Sequence, residues 1–172
     1  AKIIAQAIQA MRTQTSLGTI HLNTNASKPE GFARCVEAGL DSVRVSLNSV
    51  LEGPYNAYYQ PRGYKFSDLE ECIKTARKNG VLVSLNYLHM PGWNDRQQEV
   101  EALVDFVQRL DVQMIQMRTL HIDPAMYVAA VPMPDGPALG MVELVSRLRR
   151  ECPHLVIGNH TLAKFRYGCL QG

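Results

Sequence analysis

The stretch SVRVSLNSV, Ser42 to Val50, decides how the rest of the chain is read. At period two, Val43, Val45 and Leu47 form an apolar row, the pattern of a half-buried strand. Ser42, Arg44, Ser46 and Asn48 form the opposite row. Turned to water, a polar row carries little information; turned into an enclosed space, it is a binding surface.

Three further segments repeat the pattern. GTIHLNTN (18–25) sets Thr19, His21, Asn23 and Asn25 against Ile20 and Leu22. VLVSLNYLHM (81–90) sets Leu82, Ser84 and Asn86 against Val81, Val83 and Leu85. VQMIQMRTL (112–120) carries Gln116 and Arg118 on one parity and Ile115 and Met117 on the other. Helical periodicity places helices over about 1–14, 27–38, 67–79, 95–110 and 139–151, with a short strand at LVIG (155–158). SKPE (Ser27, Glu30) and SDLE (Ser67, Glu70) read as capping boxes, and Gly39 and Gly80 as helix stops. The Pro-rich run DPAMYVAAVPMPDGP (123–137) and LEGPYNAYYQPRGYKF (51–66) read as loops.

Strands separated by helices imply right-handed βαβ units and a parallel sheet. Helices cover one face of such a sheet, so the apolar rows point at them and the polar rows point away. A doubly wound sheet needs near-continuous apolar strands, and a closed eight-stranded barrel fills its interior with branched apolar side chains. Rows of His, Asn, Arg, Ser and Gln fit neither, because each buried polar group without a partner costs about 1–3 kcal/mol. The expected fold class is therefore α/β, a parallel (βα) partial TIM barrel with helices outside and a polar lumen. The strand ends at Asn25, Asn48, Asn86 and Arg118 stand where barrels place their chemistry.

Composition limits the alternatives. The 172 residues, 46% hydrophobic and 20% charged, suit one domain. Residues 1–125 carry the strands and helices of the barrel, and 126–172 its Pro-rich segment, last helix and tail. A formal charge of +2 without basic runs gives no indication of nucleic acid. No apolar stretch reaches the roughly 18 residues of a membrane helix, and a cytoplasmic location is expected. Cys35, Cys72, Cys152 and Cys169 include no C-x-x-C pair and read as buried or half-buried thiols. The chain opens in mid-helix, with apolar residues at Ile3, Ile4, Ala7, Ile8 and Met11 and no cap ahead of them, so a fragment of a longer protein is expected.

HLNTNAS (21–27) resembles the third-strand segment of radical S-adenosylmethionine (radical SAM) enzymes, and GLDSVRVSLNSV (39–50) their fourth strand. GVLVSLNYLHMPGWND (80–95) resembles the fifth strand and the turn after it, and VQMIQMRTL the sixth. The resemblance spans about residues 1–120, in order and in spacing. It implies a partial (βα)6 barrel in which a 4Fe–4S cluster reductively cleaves SAM to a 5′-deoxyadenosyl radical that abstracts hydrogen from substrate. A reductant such as flavodoxin or ferredoxin is implied with it. By position, Thr24 and Asn25 match the segment near the methionine moiety of SAM, and Ser46 and Asn48 positions that bond its ribose or amino-acid part. Ser84 and Asn86 match positions near the methionine carboxylate or ribose, and Arg118 a lumen position facing SAM or substrate. Asn48 stands where the family often has Asp. The family's C-x3-C-x2-C and the glycine-rich segment after its second strand are absent, both expected upstream of Ala1, so this polypeptide alone is expected to be inactive.

Simpler readings stand beside these. Thr24 and Asn25 also suit turn chemistry, and Arg44, inward and one pleat deeper, suits an ion pair or a ligand contact equally. His21 suits a satisfied core histidine; His89 and His121 could reach substrate. The tyrosine-rich segment packs on itself as a lid or shapes the substrate site. Met114, Met117 and Met133 read as core filler. For the whole, a non-catalytic barrel scaffold that binds a small polar ligand or a partner remains the alternative to an enzyme. A βα-barrel aldolase or lyase would need an inward Lys or paired carboxylates, and the strands show none.

Overall fold

The structure, a computed structural model, describes residues 2–158. Its elements run α1 (Lys2–Gln14), β1 (His21–Thr24), α2 (Pro29–Glu37), β2 (Ser42–Leu47), α3 (Glu52–Tyr59), α4 (Phe66–Lys78), β3 (Leu82–His89), α5 (Gln97–Arg109), β4 (Met114–Thr119), α6 (Pro124–Ala130), α7 (Gly140–Glu151) and β5 (Val156–Ile157). Cys169 and the tail beyond residue 158 lie outside the described residues.

The five strands form one sheet, all parallel, in the order β1-β2-β3-β4-β5. Sequential order with a helix in every crossover keeps the helices on one face, as in a barrel wall and unlike a doubly wound sheet. Val43, Val45, Leu47, Val83, Leu85, Tyr87 and Ile115 are fully buried on that face. They share one core with Leu69 and Ile73 of α4, Leu103 and Val107 of α5, and Leu144 and Leu148 of α7.

The register builds layers across the other face. Asn23, Arg44, Ser84, Met114 and Val156 stand abreast, then Ser46, Asn86 and Gln116, then Leu88 and Arg118. Successive layers are roughly 6.6 Å apart, two residues of strand rise. Toward the strands' amino ends, Leu82, Met114 and Val156 form a small separate apolar cluster that floors this face.

Several local expectations are corrected. The segment 51–66 contains α3, and 123–137 contains α6, despite their prolines. Pro29 and Pro124 occupy first helical turns, where a missing N–H costs nothing. Ser27 does not cap α2; Lys28 precedes it, with no side-chain cap bond. Ser67 lies inside α4, and the carboxylate of Asp68 takes the Lys65 N–H instead, at 2.8 Å. β1 begins at His21 rather than near Gly18. Gly39 ends α2 at φ +105°, where a Cβ would meet Arg12 Cγ at 2.9 Å. Arg12 ties α1 to that corner by an ion pair with Asp41 and by donating to Gly39 O.

Candidate active site

β2 and β3 bring the central pair of the polar face together. Asn86 Nδ2 donates to Ser46 Oγ at 3.2 Å, across neighbouring strands in one layer. Both residues are half-buried, and Asn86 Oδ1 is buried without a hydrogen-bond partner. One pleat deeper, Ser84 Oγ donates to Val43 O at 3.0 Å, which fixes a fully buried hydroxyl. Beside it Arg44 is half-buried, and its Nε has no hydrogen-bond partner. Burial, and then the charge of Arg118, lower its pKa. Arg118 itself is exposed near the carboxyl end of β4.

The remaining expected residues stand elsewhere. Asn48, just beyond β2, is 0% exposed; its Nδ2 donates to Pro54 O of α3 and to the Tyr127 hydroxyl of α6, both at 3.2 Å. Its carbonyl accepts from Asn94 Nδ2, so this Asn joins three segments above the strand end. Thr24 pairs in register with Val45, on the helix-facing side, and its Oγ1 accepts from Ala26 N at 3.0 Å, a Thr turn. Asn25 is exposed beyond the end of β1.

The histidines divide in the same way. His21 lies on the polar face, with Nδ1 2.7 Å from Ser42 Oγ and Nε2 buried without a partner. Burial first, and the Arg44 charge second, lower its pKa, while Asn23 pulls it up. His89 shares the helix-facing parity of Tyr87; burial lowers its pKa and Asp95 raises it. His121 is exposed.

A buried carboxylate missed by the sequence reading braces the rim. Glu99 of α5 is 0% exposed and accepts from Ser49 Oγ at 2.5 Å, Val50 N at 2.9 Å and the Tyr87 hydroxyl at 2.7 Å. Burial pushes its pKa up, and the three donors pull it back. Its position was the available signal, because Glu99 shares the inward face of Leu103, Phe106 and Leu110. The tyrosine-rich segment closes on itself: the rings of Tyr55 and Tyr59 stack at 4.7 Å, Tyr55 meets Phe66 at 5.0 Å, and Tyr58 lies 5.7 Å from Tyr127.

The described residues suit the two cofactors that the resemblance implies, SAM and a 4Fe–4S cluster, unequally. The partnerless Oδ1 of Asn86, beside Ser46, fits a polar ligand such as SAM, while the partnerless atoms of Arg44 and His21 lie deeper on the same face. No group of three His, Cys, Asp or Glu among the described residues could hold a metal. Cys35, Cys72 and Cys152 are separately buried, and burial, with the nearby Glu71 and Asp68, pushes the Cys72 thiol up to about 12. These thiols do not fit a cluster.

Comparison with known proteins agrees with the geometry. Methylornithine synthase superposes with a TM-score of 0.59 at 15% identity, covering 91% of this chain and 44% of that one. A domain of pyruvate-formate lyase-activating enzyme from Bacteroides vulgatus gives 0.63 at 10% identity, covering 92% and 91%. SuiB of Streptococcus suis, solved bound to S-adenosylmethionine, gives 0.54 at 12% identity, covering 86% and 34%. At these identities the likeness shows the fold, a parallel α/β partial barrel, and the chain spans under half the length of methylornithine synthase. No curated protein matches. The Radical SAM superfamily model matches residues 2–107, well over half of the chain, and the cofactors of that family are SAM and a 4Fe–4S cluster. The chain belongs to the Radical SAM superfamily.

Proposed function

We propose that this chain forms SAM- and substrate-lining walls of a radical SAM enzyme domain, which cleaves SAM reductively and abstracts hydrogen from a substrate. The observation that carries the reading is the Asn86–Ser46 pair, with Asn86 Oδ1 unpartnered on a polar face over an apolar floor. Ser46 and Asn86 bond SAM directly, with Asn25 and Arg118 at the rim. Thr24, Asn48 and Ser84 act through the backbone they hold in place. Residues 1–125 and 126–172 serve one catalytic domain. The cofactors supply the radical chemistry; these side chains bind and orient. An external electron donor of the flavodoxin or ferredoxin kind and a cytoplasmic location belong to the same reading.

The test is SAM affinity in the full protein, reconstituted anaerobically with iron and sulfide. Asn86→Ala and Ser46→Ala each weaken SAM by about tenfold, the loss of one hydrogen bond to a buried polar ligand. Wild-type affinity in both variants refutes the assignment.

A further inference from the structure

We propose that the substrate of this site carries an anionic group, a carboxylate or a phosphate, which the Arg44 guanidinium receives deep on the polar face. The inference rests on reading that face as the ligand wall. Its geometry is independent of the SAM contacts, because Arg44 stands one layer below Ser46 and Asn86, toward the apolar floor.

The positions of this face along the five strands include His21, Arg44 and Arg118 but no Asp or Glu. No ion pair of the described residues involves Arg44, although Arg12, Arg77, Arg109, Arg147 and Arg150 each have a carboxylate. The Arg44 Nε is shut off from solvent and bonds to nothing. Its lateral neighbours are Asn23 and Ser84, and Ser84 already donates its proton to Val43 O. His21 offers no countercharge, since an imidazole is neutral or cationic and never anionic here.

A guanidinium is not deprotonated in a protein, so relief has to come from an acceptor brought to it. Its planar fork matches a carboxylate or a phosphate, two oxygens to two N–H groups, better than a neutral carbonyl. Arg118 adds positive potential from the same face, which draws an anion inward past the rim. A substrate held in this way has its charged end at Arg44 and its remaining length in the Ser46–Asn86–Gln116 layer, next to the proposed SAM contacts.

The experiment follows the thermal midpoint and the SAM affinity of the reconstituted full protein, titrated with inorganic phosphate or with acetate against chloride at constant ionic strength. Phosphate or acetate raises the wild-type midpoint, Arg44→Lys keeps part of the rise, and Arg44→Gln loses it while its SAM affinity stays within twofold of wild type. The anion with the larger effect identifies the chemistry of the substrate's charged end. No rise in the wild type, or an undiminished rise in Arg44→Gln, overturns the inference. A tenfold loss of SAM affinity in Arg44→Gln also overturns it, by assigning Arg44 to SAM's own carboxylate. Failure of the SAM reading is separate: it appears as unchanged SAM affinity in Asn86→Ala and leaves the anion titration intact. Circular dichroism of both Arg44 variants establishes that they fold, and Arg44→Lys keeps the test decisive where Arg44→Gln does not.

Discussion

Ser46 and Asn48 are two residues apart in one polar row, and the structure gives them different surroundings. Ser46 shares a bond with Asn86 on the open side of the sheet, whereas Asn48 is enclosed by Pro54, Tyr127 and Asn94. The alternation told both apart from Val45 and Leu47 but could not separate one from the other, because segments distant in sequence supply Asn48's neighbours. His21 is the titratable residue of the face, and its folded pKa lies below the ordinary 6.5. The unfolded chain therefore takes up its proton first as pH falls, and the folded state gains no matching stabilisation. Stability attributable to His21 is complete above about pH 6.5 and declines as pH drops through that value toward the folded pKa. Urea midpoints across this range fall less steeply in His21→Gln than in the wild type. The difference between the two proteins isolates His21 from His89, which acts in the same direction, and from Glu99. Parallel curves would show that His21 does not titrate in this way.

Among the elements, α5 illustrates what a helix contributes beyond its apolar stripe. Val100, Leu103, Val104 and Val107 bury it against the sheet, while Glu99 reaches over the end of β2 and gathers Ser49, Val50 and Tyr87. Glu99→Ala removes the acceptor from three buried donors and costs about 3 kcal/mol of folding stability; Glu99→Gln, which keeps one carbonyl oxygen, costs less. Urea unfolding of the three proteins checks the order, and equal midpoints would refute the bracing role. The sequences of α3 and α6 read as loops for a physical reason. Pro54, Pro124 and the short lengths weaken any helical signal. What holds them is tertiary: Tyr55 and Tyr127 are buried, at 0% and 1% exposure, among aromatic rings. The two misplaced capping boxes have a similar origin. The pattern Ser-x-x-Glu occurs in the chain, but the helix register is set by which residues reach the core, and Phe66 and Leu69 are the ones that do.

At the scale of the whole molecule, one apolar core runs from Ala5 and Ile8 of α1 through the strands to Leu144 and Leu148 of α7. Leu85 in β3 and Leu144 in α7 are both 0% exposed within it. Leu85→Ala and Leu144→Ala each cost about 3 kcal/mol, from lost transfer energy and the cavity left behind. Both lower the midpoint of a single unfolding transition; a separate transition for α7 in Leu144→Ala would divide the domain.

The sequence by itself determined the strand alternation, the parallel order implied by helices between strands, and the two faces of the sheet. Those features depend on a period of two and on short-range connections, which are local properties of the chain. It also carried the family, because four strand segments keep their order and spacing. Only the tertiary structure decided which polar residues of a row remain available to a ligand. Availability depends on partners brought in from far along the chain: Tyr127 and Asn94 close over Asn48, which is 0% exposed, Ser84 donates to Val43, and Arg44 and Asn86 stay half-buried with unsatisfied atoms.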